Sequence, residues 1–232
     1  ILCAMLSWLS VRSKNGRYLL RIEDLDAMRC PRSLADLIED DLKWFGIDWD
    51  DGGSAGGDAW YQSCRTAIYD RYFDVLKDKG LLYPCFCSRA ELHTAQAPHR
   101  SDGTYIYAGT CRNLTPEQIA EKSKRRPPAW RVRVPERDMS FTDGCQGVYT
   151  ENLAHDCGDF IIRRSDGVYG YQLAVVVDDG LMGVTEVVRG SDLLNSTPRQ
   201  MYLYEQLGFA IPQFYHMPLL TAPDGRRLSK RD

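Results

Sequence analysis

The sequence predicts an α/β fold, in which a Rossmann-like sheet is interrupted by an inserted segment. The length of 232 residues, 44% of them hydrophobic and 26% charged, suits one sizeable core with a smaller insertion. Segments with helical periodicity alternate with short apolar runs, and the composition changes at Tyr83. We therefore expect a first part of the Rossmann-like domain at 1–84, an inserted subdomain at 85–135 and a second part of that domain at 136–232.

The composition excludes several classes of protein. A net charge of −3 argues against indiscriminate nucleic-acid binding, although it permits a local basic face. No apolar run approaches the roughly 20 residues that span a bilayer. Eight cysteines without a secretory leader indicate reduced thiols or metal ligands in place of a disulfide framework. We expect a cytoplasmic, monomeric protein without membrane contact.

The first part of the chain should begin with a helix and a strand. Residues 1–12 carry apolar side chains at helical spacing, and Asn15-Gly16 is a stop signal before a strand at 17–22. That strand ends in Arg21, Glu23 and Asp24. Such a group can bind an amino group, a hydroxyl or a metal, or it can cap the next helix.

Two further helices follow, separated by a glycine-rich segment. A helix at 31–45 should pack through one apolar face, formed by Leu34, Leu37, Ile38, Leu42 and Phe45. The second, at 63–79, should use Ile68, Tyr72, Val75 and Leu76. Residues 50–58 between them predict a flexible loop.

The insertion carries thiols that suit a metal. Cys85, Cys87 and Cys111 offer three soft ligands, and Zn²⁺ prefers four in a tetrahedron. From the residues alone, His93, His99 or Tyr107 can supply the fourth, and three reduced structural cysteines are the alternative.

The rest of the insertion should contain a capped helix from Thr115 and an alternating strand at 130–134. Its cations form either a phosphate-facing strip or a solvated face; they are Lys124, Arg125, Arg126, Arg131 and Arg133.

The segment 159–199 should form the ligand site. Its pattern predicts two strands joined at the turn Asp166-Gly167. The apolar run 173–177 should be a third strand, which ends in two acids, and 184–188 should be a fourth strand before Arg189. Ligands of open α/β sheets bind beyond the carboxyl ends of strands, which favours one site formed by Tyr171, Gln172, Asp178, Asp179 and Arg189. The alternative is that these charges only pair with one another at the surface.

The last segment should contain a helix and a cationic loop. Thr197-Pro198 opens a helix that Gly208 closes, and 214–220 is a strand. Residues 227–231 then place flexible cations after that strand, where they suit a phosphate chain or are simply solvated.

Taken together, four motifs in order resemble the glutamyl-tRNA synthetase family of class I aminoacyl-tRNA synthetases. They are Arg21-Ile22-Glu23-Asp24, the segment Tyr171 to Asp179, the block of Val188-Arg189-Gly190 with Ser196-Thr197, and Leu228-Ser229-Lys230-Arg231. The resemblance implies a class I synthetase catalytic domain. Three features of the sequence resemble a short branch of that family: Glu186, the residues at 174–177 and the spacing of the cysteines. Members of this branch lack the anticodon-binding domain and attach glutamate to the queuosine base of tRNA(Asp).

The resemblance assigns roles residue by residue. It implies that glutamate is held by Glu23, Tyr171 and Arg189, together with Arg21 and Asp178. It implies that Leu228, Ser229 and Lys230 bind ATP with Mg²⁺ on the phosphates, Lys230 being catalytic. It further implies structural Zn²⁺ on Cys85, Cys87, Tyr107 and Cys111, and tRNA(Asp) bearing queuosine as partner.

The resemblance also implies segments ahead of Ile1. A first strand, an Arg-x-x-Pro-Ser segment and a His-Ile-Gly-His-like motif should precede that residue and are absent from the printed sequence. Activity is therefore expected of the parent protein and not of these residues alone. Two alternatives remain, the catalytic fragment of an ordinary glutamyl-tRNA synthetase and a non-catalytic, zinc-stabilised RNA-binding module.

Overall fold

The computed structural model describes residues 1–26, 28–88, 91 and 106–222. Its α-helices are α1 Leu2–Ser13, α2 Ser33–Trp44, α3 Thr66–Asp78, α4 Pro116–Ser123, α5 Tyr171–Met182 and α6 Thr197–Leu207. Its strands are β1 Leu19–Leu20, β2 Asp51–Gly52, β3 Leu82–Cys85, β4 Ala129–Val132, β5 Asp138–Asp143, β6 Gly147–Asn152, β7 Phe160–Arg163, β8 Glu186–Gly190 and β9 Gln213–Met217. Short 3₁₀ turns occupy Ser54–Gly56, Asp58–Trp60, Gln62–Cys64 and Ser191–Ser196. None of the helices in these ranges is long and apolar enough to cross a membrane.

Two pairs of parallel strands form the α/β part of the molecule. β1 pairs with β2 and is connected to it through α2, while β8 pairs with β9 and is connected through α6. Parallel neighbours need such a crossover, and a helix usually supplies it. The pairing of β8 with β9 matches Glu186 with Gln213 and Gly190 with Met217.

Antiparallel strands form the remaining sheets. β3, β4 and β7 make one sheet in that order, and β5 with β6 makes a hairpin. The first of these sheets takes strands from all three predicted segments, so it crosses both predicted boundaries. The division at 84/85 and 135/136 stays a prediction.

Several predicted elements are confirmed. α1 and α3 lie where helical spacing placed them, and α4 begins with a capping box between Thr115 and Gln118. α6 has Pro198 in its first turn and ends at Gly208, whose φ of 73° suits glycine. The turn at Asp166-Gly167 joins β7 to an isolated bridge between Arg163 and Tyr169 in place of a full second strand.

The prediction that residues 173–177 form a strand is wrong. They lie in α5, where every residue from Leu173 to Asp179 is buried. A helix that is buried on all sides has no polar face, so its sequence is a continuous apolar run like that of a buried strand. Contacts with α3, α6 and β7 therefore decide a conformation that the run of valines does not indicate.

The predicted packing face of α2 is also wrong. Its buried residues are Ala35, Glu39 and Leu42, whereas Leu34, Leu37, Ile38 and Phe45 are exposed. The buried carboxylate explains the rotation, because Glu39 accepts hydrogen bonds from the backbone and hydroxyl of Ser54. The same contacts order residues 50–58, which form β2 and two 3₁₀ turns instead of the expected flexible loop.

The proposed cationic strip is broken by burial. Arg131 is only 6% exposed, and its guanidinium stacks on the Tyr107 ring at 3.7 Å while donating to the carbonyl oxygen of Asp159 at 2.6 Å. Arg133 stacks on Tyr83 at 4.8 Å. Arg131 is therefore structural and cannot belong to a phosphate-facing surface, while the role of the other cations stays a prediction.

The contact between α5 and the end of α6 leaves no room at Gly180. A Cβ atom at this position would overlap the ring of Phe209. We expect Gly180→Ala to lower the free energy of unfolding by about 1–3 kcal/mol because the ring must move. Helix propensity alone predicts a gain of about 1 kcal/mol from the same change, so the sign separates the two effects.

Urea unfolding followed by circular dichroism measures this change. Leu181→Ala, at the exposed next residue of α5, is the control and should shift the free energy by only about 0.5 kcal/mol. A stabilised Gly180→Ala protein would show that α5 and Phe209 do not pack closely.

Candidate active site

One cleft of about 830 Å³ opens beside the two parallel strand pairs. Both β1 and β8 line it, as do the start of α5 and part of α1. The predicted site residues Arg21, Glu23, Tyr171, Asp179 and Arg189 all line this cleft. The cleft therefore brings together side chains more than 150 positions apart, as the family resemblance implied, and their contact with a ligand stays a prediction.

Arg21 links two of the acidic groups at the cleft. Its Nη1 donates to Oδ1 of Asp179 at 2.7 Å and its Nη2 to Oε1 of Glu23 at 3.1 Å. Burial lowers the pKa of Arg21, but Asp179, Glu23 and Asp178 outweigh burial and raise it. The guanidinium therefore stays charged and holds the Glu23 carboxylate in position.

Tyr171 is the first residue of α5 and presents a phenol to the cleft. Burial raises the pKa of this phenol, and the nearby Glu23 carboxylate raises it further. The hydroxyl is therefore protonated at neutral pH and available as a hydrogen-bond donor.

Arg189 is the cationic group of the cleft on β8, where it is 8% exposed. Its Nε donates to Nε2 of His216 at 2.9 Å and its Nη2 to Oγ1 of Thr197 at 2.8 Å. The guanidinium also lies 5.3 Å from the Phe214 ring. A planar cation held in this way suits recognition of a carboxylate or phosphate.

Asp178 does not line the cleft, contrary to the prediction that it contacts a ligand. Its carboxylate is fully buried, and it accepts hydrogen bonds from Gln62 Nε2 at 2.9 Å, Arg65 Nε at 2.7 Å and the Tyr69 hydroxyl at 2.8 Å. Burial raises the pKa of Tyr69, and the adjacent Asp178 raises it further. This carboxylate joins α5 to α3 and the preceding turn.

Gln172 also points away from the cleft. Its Nε2 donates to Ser196 Oγ at 3.1 Å, and its Oε1 accepts from Gln200 at 2.9 Å. The helical form of α5 explains both departures, because neighbouring residues of a helix do not share a face.

The cysteine cluster lies apart from the cleft, where β3 meets residues 107–111. The Cys87 and Cys111 sulfurs are 3.6 Å apart, and the Tyr107 hydroxyl lies 3.5 Å from Cys85 and 3.7 Å from Cys87. With Zn–S bonds of about 2.3 Å, tetrahedral angles separate neighbouring donors by about 3.7 Å. These three separations fit a zinc tetrahedron, and all three sulfurs lie within 4.8 Å of one another.

The thiols of this cluster have different acidities. Burial raises the pKa of Cys85, but hydrogen bonding with Tyr107 and the nearby Arg131 lower it below the ordinary value. Burial raises the pKa of Cys87 to about 12, with the neighbouring thiols adding to the effect. Arg131 donates to Cys85 Sγ at 3.3 Å, which would help to neutralise a thiolate set.

Some predicted site residues lie outside the described part of the chain. They are the alternative ligands His93 and His99 and three residues of the cationic loop, Leu228, Ser229 and Lys230.

Sequence reasoning missed several residues that form the site's buried support. Gln62, Arg65 and Tyr69 bind Asp178, and Asp143 and His216 stand behind Arg189. One signal was visible, since His216 is the single titratable imidazole of β9, next to Met217 and two aromatic residues, and needs polar partners when buried.

Comparisons with known proteins agree with this architecture. The family model described as "tRNA synthetases class I (E and Q), catalytic domain" matches residues 2–232. The chain is 50% identical over 231 residues to a glutamyl-Q tRNA(Asp) synthetase of Nitratidesulfovibrio vulgaris, covering 98% of this chain and 71% of the relative. It is 47% identical to one from Neisseria meningitidis, covering 100% and 75%.

Solved structures show the same fold. A glutamate tRNA ligase from Elizabethkingia meningosepticum, in complex with its amino acid, superposes with a TM-score of 0.83 at 30% identity, covering 99% of this chain and 48% of that one. A glutamate-tRNA synthetase from Elizabethkingia anophelis gives 0.84 at 30% identity, covering 99% and 49%. The chain thus spans about half the length of these two proteins, and the Rossmann-like expectation is confirmed.

The buried charges around Asp178 generate a stability prediction. Asp178→Asn leaves Arg65 and Arg21 without their shared counter-charge in the core. We expect a loss of about 3–5 kcal/mol in the free energy of unfolding, the usual result of breaking a buried ion pair from one side.

The control is Asp40→Asn, which removes an exposed pair with Lys43 and should cost less than about 1 kcal/mol. Chemical denaturation of both variants makes the comparison. Equal effects would mean that the Asp178 network does not stabilise the fold.

Proposed function

The chain belongs to the class I family of glutamate and glutamine tRNA synthetase catalytic domains, within its glutamyl-Q tRNA(Asp) synthetase group, and from this we propose that it activates glutamate with ATP and transfers it to the queuosine base of tRNA(Asp). The relatives that carry this name are 44–50% identical to the chain. The protein is accordingly an enzyme of the ligase type.

The observation that carries the proposal is the convergence of Glu23, Tyr171 and Arg189 on one cleft. Arg189 would hold the side-chain carboxylate of glutamate, because a guanidinium offers paired donors in one plane. Glu23 would accept from the substrate ammonium, and Tyr171 would donate to the substrate through its protonated hydroxyl. Arg21 would act by holding Glu23.

Activation needs positioning and charge neutralisation but no covalent enzyme intermediate. An α-carboxylate oxygen of glutamate attacks the α-phosphorus of ATP, and the bond to pyrophosphate breaks. We assign Lys230, with Leu228 and Ser229 beside it, to the ATP phosphates, where a cation would stabilise the growing charge. Mg²⁺ would neutralise the same phosphates.

A second candidate is activation of glutamate for tRNA(Glu), since the two solved neighbours are glutamate-specific synthetases. Identity of 30% to those proteins, against 44–50% to the glutamyl-Q relatives, favours the queuosine reaction.

Because ATP and tRNA are cytoplasmic substrates, we place the protein in the cytoplasm, and we propose that it acts as a monomer.

Transfer of radiolabelled glutamate by the full-length protein tests this function. We expect label on tRNA(Asp) that contains queuosine, and none on the same tRNA without it. Arg189→Ala should abolish glutamate-dependent exchange of pyrophosphate into ATP because the side-chain carboxylate loses its partner. Label on tRNA(Glu) instead would establish the second candidate, and full exchange by Arg189→Ala would exclude Arg189 from the pocket.

We also propose that Cys85, Cys87, Tyr107 and Cys111 hold a structural zinc ion. Their donor atoms have tetrahedral spacing, and protein ligands would fill all four positions, which is typical of structural sites. Such an ion would fix the start of the insertion to β3.

Metal analysis tests the zinc proposal. We expect one zinc per protein molecule, lost in Cys111→Ser and bound at least tenfold more weakly in Tyr107→Phe, measured by mass spectrometry of metals and chelator competition. Cys3→Ser, an exposed thiol on α1, is the control and should retain the metal. Unchanged zinc in Cys111→Ser would remove the site, and unchanged affinity in Tyr107→Phe would remove the phenol as a ligand.

A further inference from the structure

A buried chain of hydrogen bonds stands behind Arg189, outside the four motifs that indicate the family. The His216 side chain is 0% exposed, and its Nδ1 lies 2.6 Å from Oδ2 of Asp143, whose side chain is also 0% exposed. Asp143 ends β5, and His216 lies in β9. The chain therefore runs from the β5–β6 hairpin through β9 to Arg189 on β8.

The contacts fix the tautomer of His216. Arg189 Nε carries a hydrogen and must donate, so His216 Nε2 accepts it through its lone pair. The ring proton then lies on Nδ1, where it is donated to the Asp143 carboxylate. A protonated imidazole would place two donors face to face and would break this arrangement.

Asp143 is itself held by the backbone. Its Oδ1 accepts from the amides of Cys145 at 2.9 Å, Gln146 at 2.9 Å and His216 at 3.1 Å. Burial raises the pKa of this carboxyl, but the hydrogen bonds outweigh burial and lower it. The carboxylate is thus ionised and immobile.

The surroundings keep His216 neutral. Burial lowers its pKa and Arg189 lowers it further, while Asp143 and the charge of Asp192 act in the opposite direction with a smaller total effect. Its other neighbours are the Phe141 and Phe214 rings and Thr197, whose Oγ1 is 3.2 Å from Nε2.

These contacts use one edge of the Arg189 guanidinium. Nε donates to His216, and Nη2 donates to Thr197. The Nη1–Nη2 edge is therefore the one left for a ligand in the cleft that Arg189 shares with Tyr171 and Glu23.

We propose that Asp143 and His216 are positioning residues, which orient Arg189 so that its Nη1–Nη2 edge receives the substrate side-chain carboxylate end-on and excludes a carboxamide. The inference rests on the proposed role of Arg189. A guanidinium presents only donors, and the one nearby imidazole acceptor is already used by Nε. The amide nitrogen of glutamine would thus meet donors without an acceptor, and unpaired buried polar groups are costly.

Steady-state pyrophosphate exchange by the full-length protein tests this proposal. His216→Ala should raise KM for glutamate about ten- to a hundredfold, the range for a lost hydrogen bond to a charged group, and leave KM for ATP unchanged. His216→Gln should restore part of the affinity, because its Oε1 can accept from Arg189 Nε. Preference for glutamate over glutamine should fall in His216→Ala.

Asp143→Asn gives an independent test. An amide NH₂ facing Nδ1 would reverse the tautomer and point an Nε2–H donor at Arg189, so KM for glutamate should rise as in His216→Ala. The control is His155→Ala, an exposed histidine that contacts Glu136 and should leave KM for glutamate unchanged. Thermal unfolding of each variant establishes that it is folded.

The outcomes distinguish a failure of the positioning role from a failure of the proposed amino-acid site. A KM for glutamate within about twofold of wild type in both His216→Ala and Asp143→Asn would overturn the positioning role, as would a uniform loss of kcat that His216→Gln does not repair. Arg189→Ala with unchanged KM for glutamate would instead overturn the proposed amino-acid site.

Discussion

The structure depends on two adjacent buried carboxylates of α5. Asp178 binds Gln62, Arg65 and Tyr69, while Asp179 binds Arg21 and accepts from the Tyr204 hydroxyl at 3.0 Å. Because charges in the core must be paired, these contacts require that α3, α6 and the segment after β1 all pack against α5. That meeting point also places Tyr171 at the cleft. The same helix α5 therefore supplies both the buried acids that stabilise the fold and a residue of the candidate site.

Both sides of the cleft use the same physical device. On one side Asp179 fixes Arg21, which holds Glu23, and on the other Asp143 fixes His216, which holds Arg189. In each case a buried acid fixes a second group, which in turn holds a side chain that lines the cleft. Pre-organisation of this kind lowers the ordering cost of binding, because the ligand does not have to immobilise its partners.

The cysteine cluster stabilises the inserted segment in a different way. Three thiols and a phenol meet within a segment of short elements, where little apolar surface is available for a core of its own. Arg131 stacks on that phenol and donates to one thiol, so a residue of the sheet supports the cluster. A metal at this point would add stability that packing alone does not supply.

The sequence by itself determined the ends of α3, α4 and α6, the α/β class, the three thiols and the meeting of Tyr171 with Arg189, and the family resemblance added Tyr107 to the thiols. These features depend on local chemistry, such as caps and positive φ, or on motifs that keep their order. Only the tertiary structure decided that residues 173–177 are helical, that α2 packs through Glu39, that Asp178 and Arg131 are buried, and that Asp143 and His216 support Arg189. The reason is that a fully buried run has no periodicity to read, and a polar side chain reveals its partner only when distant segments bring the two together.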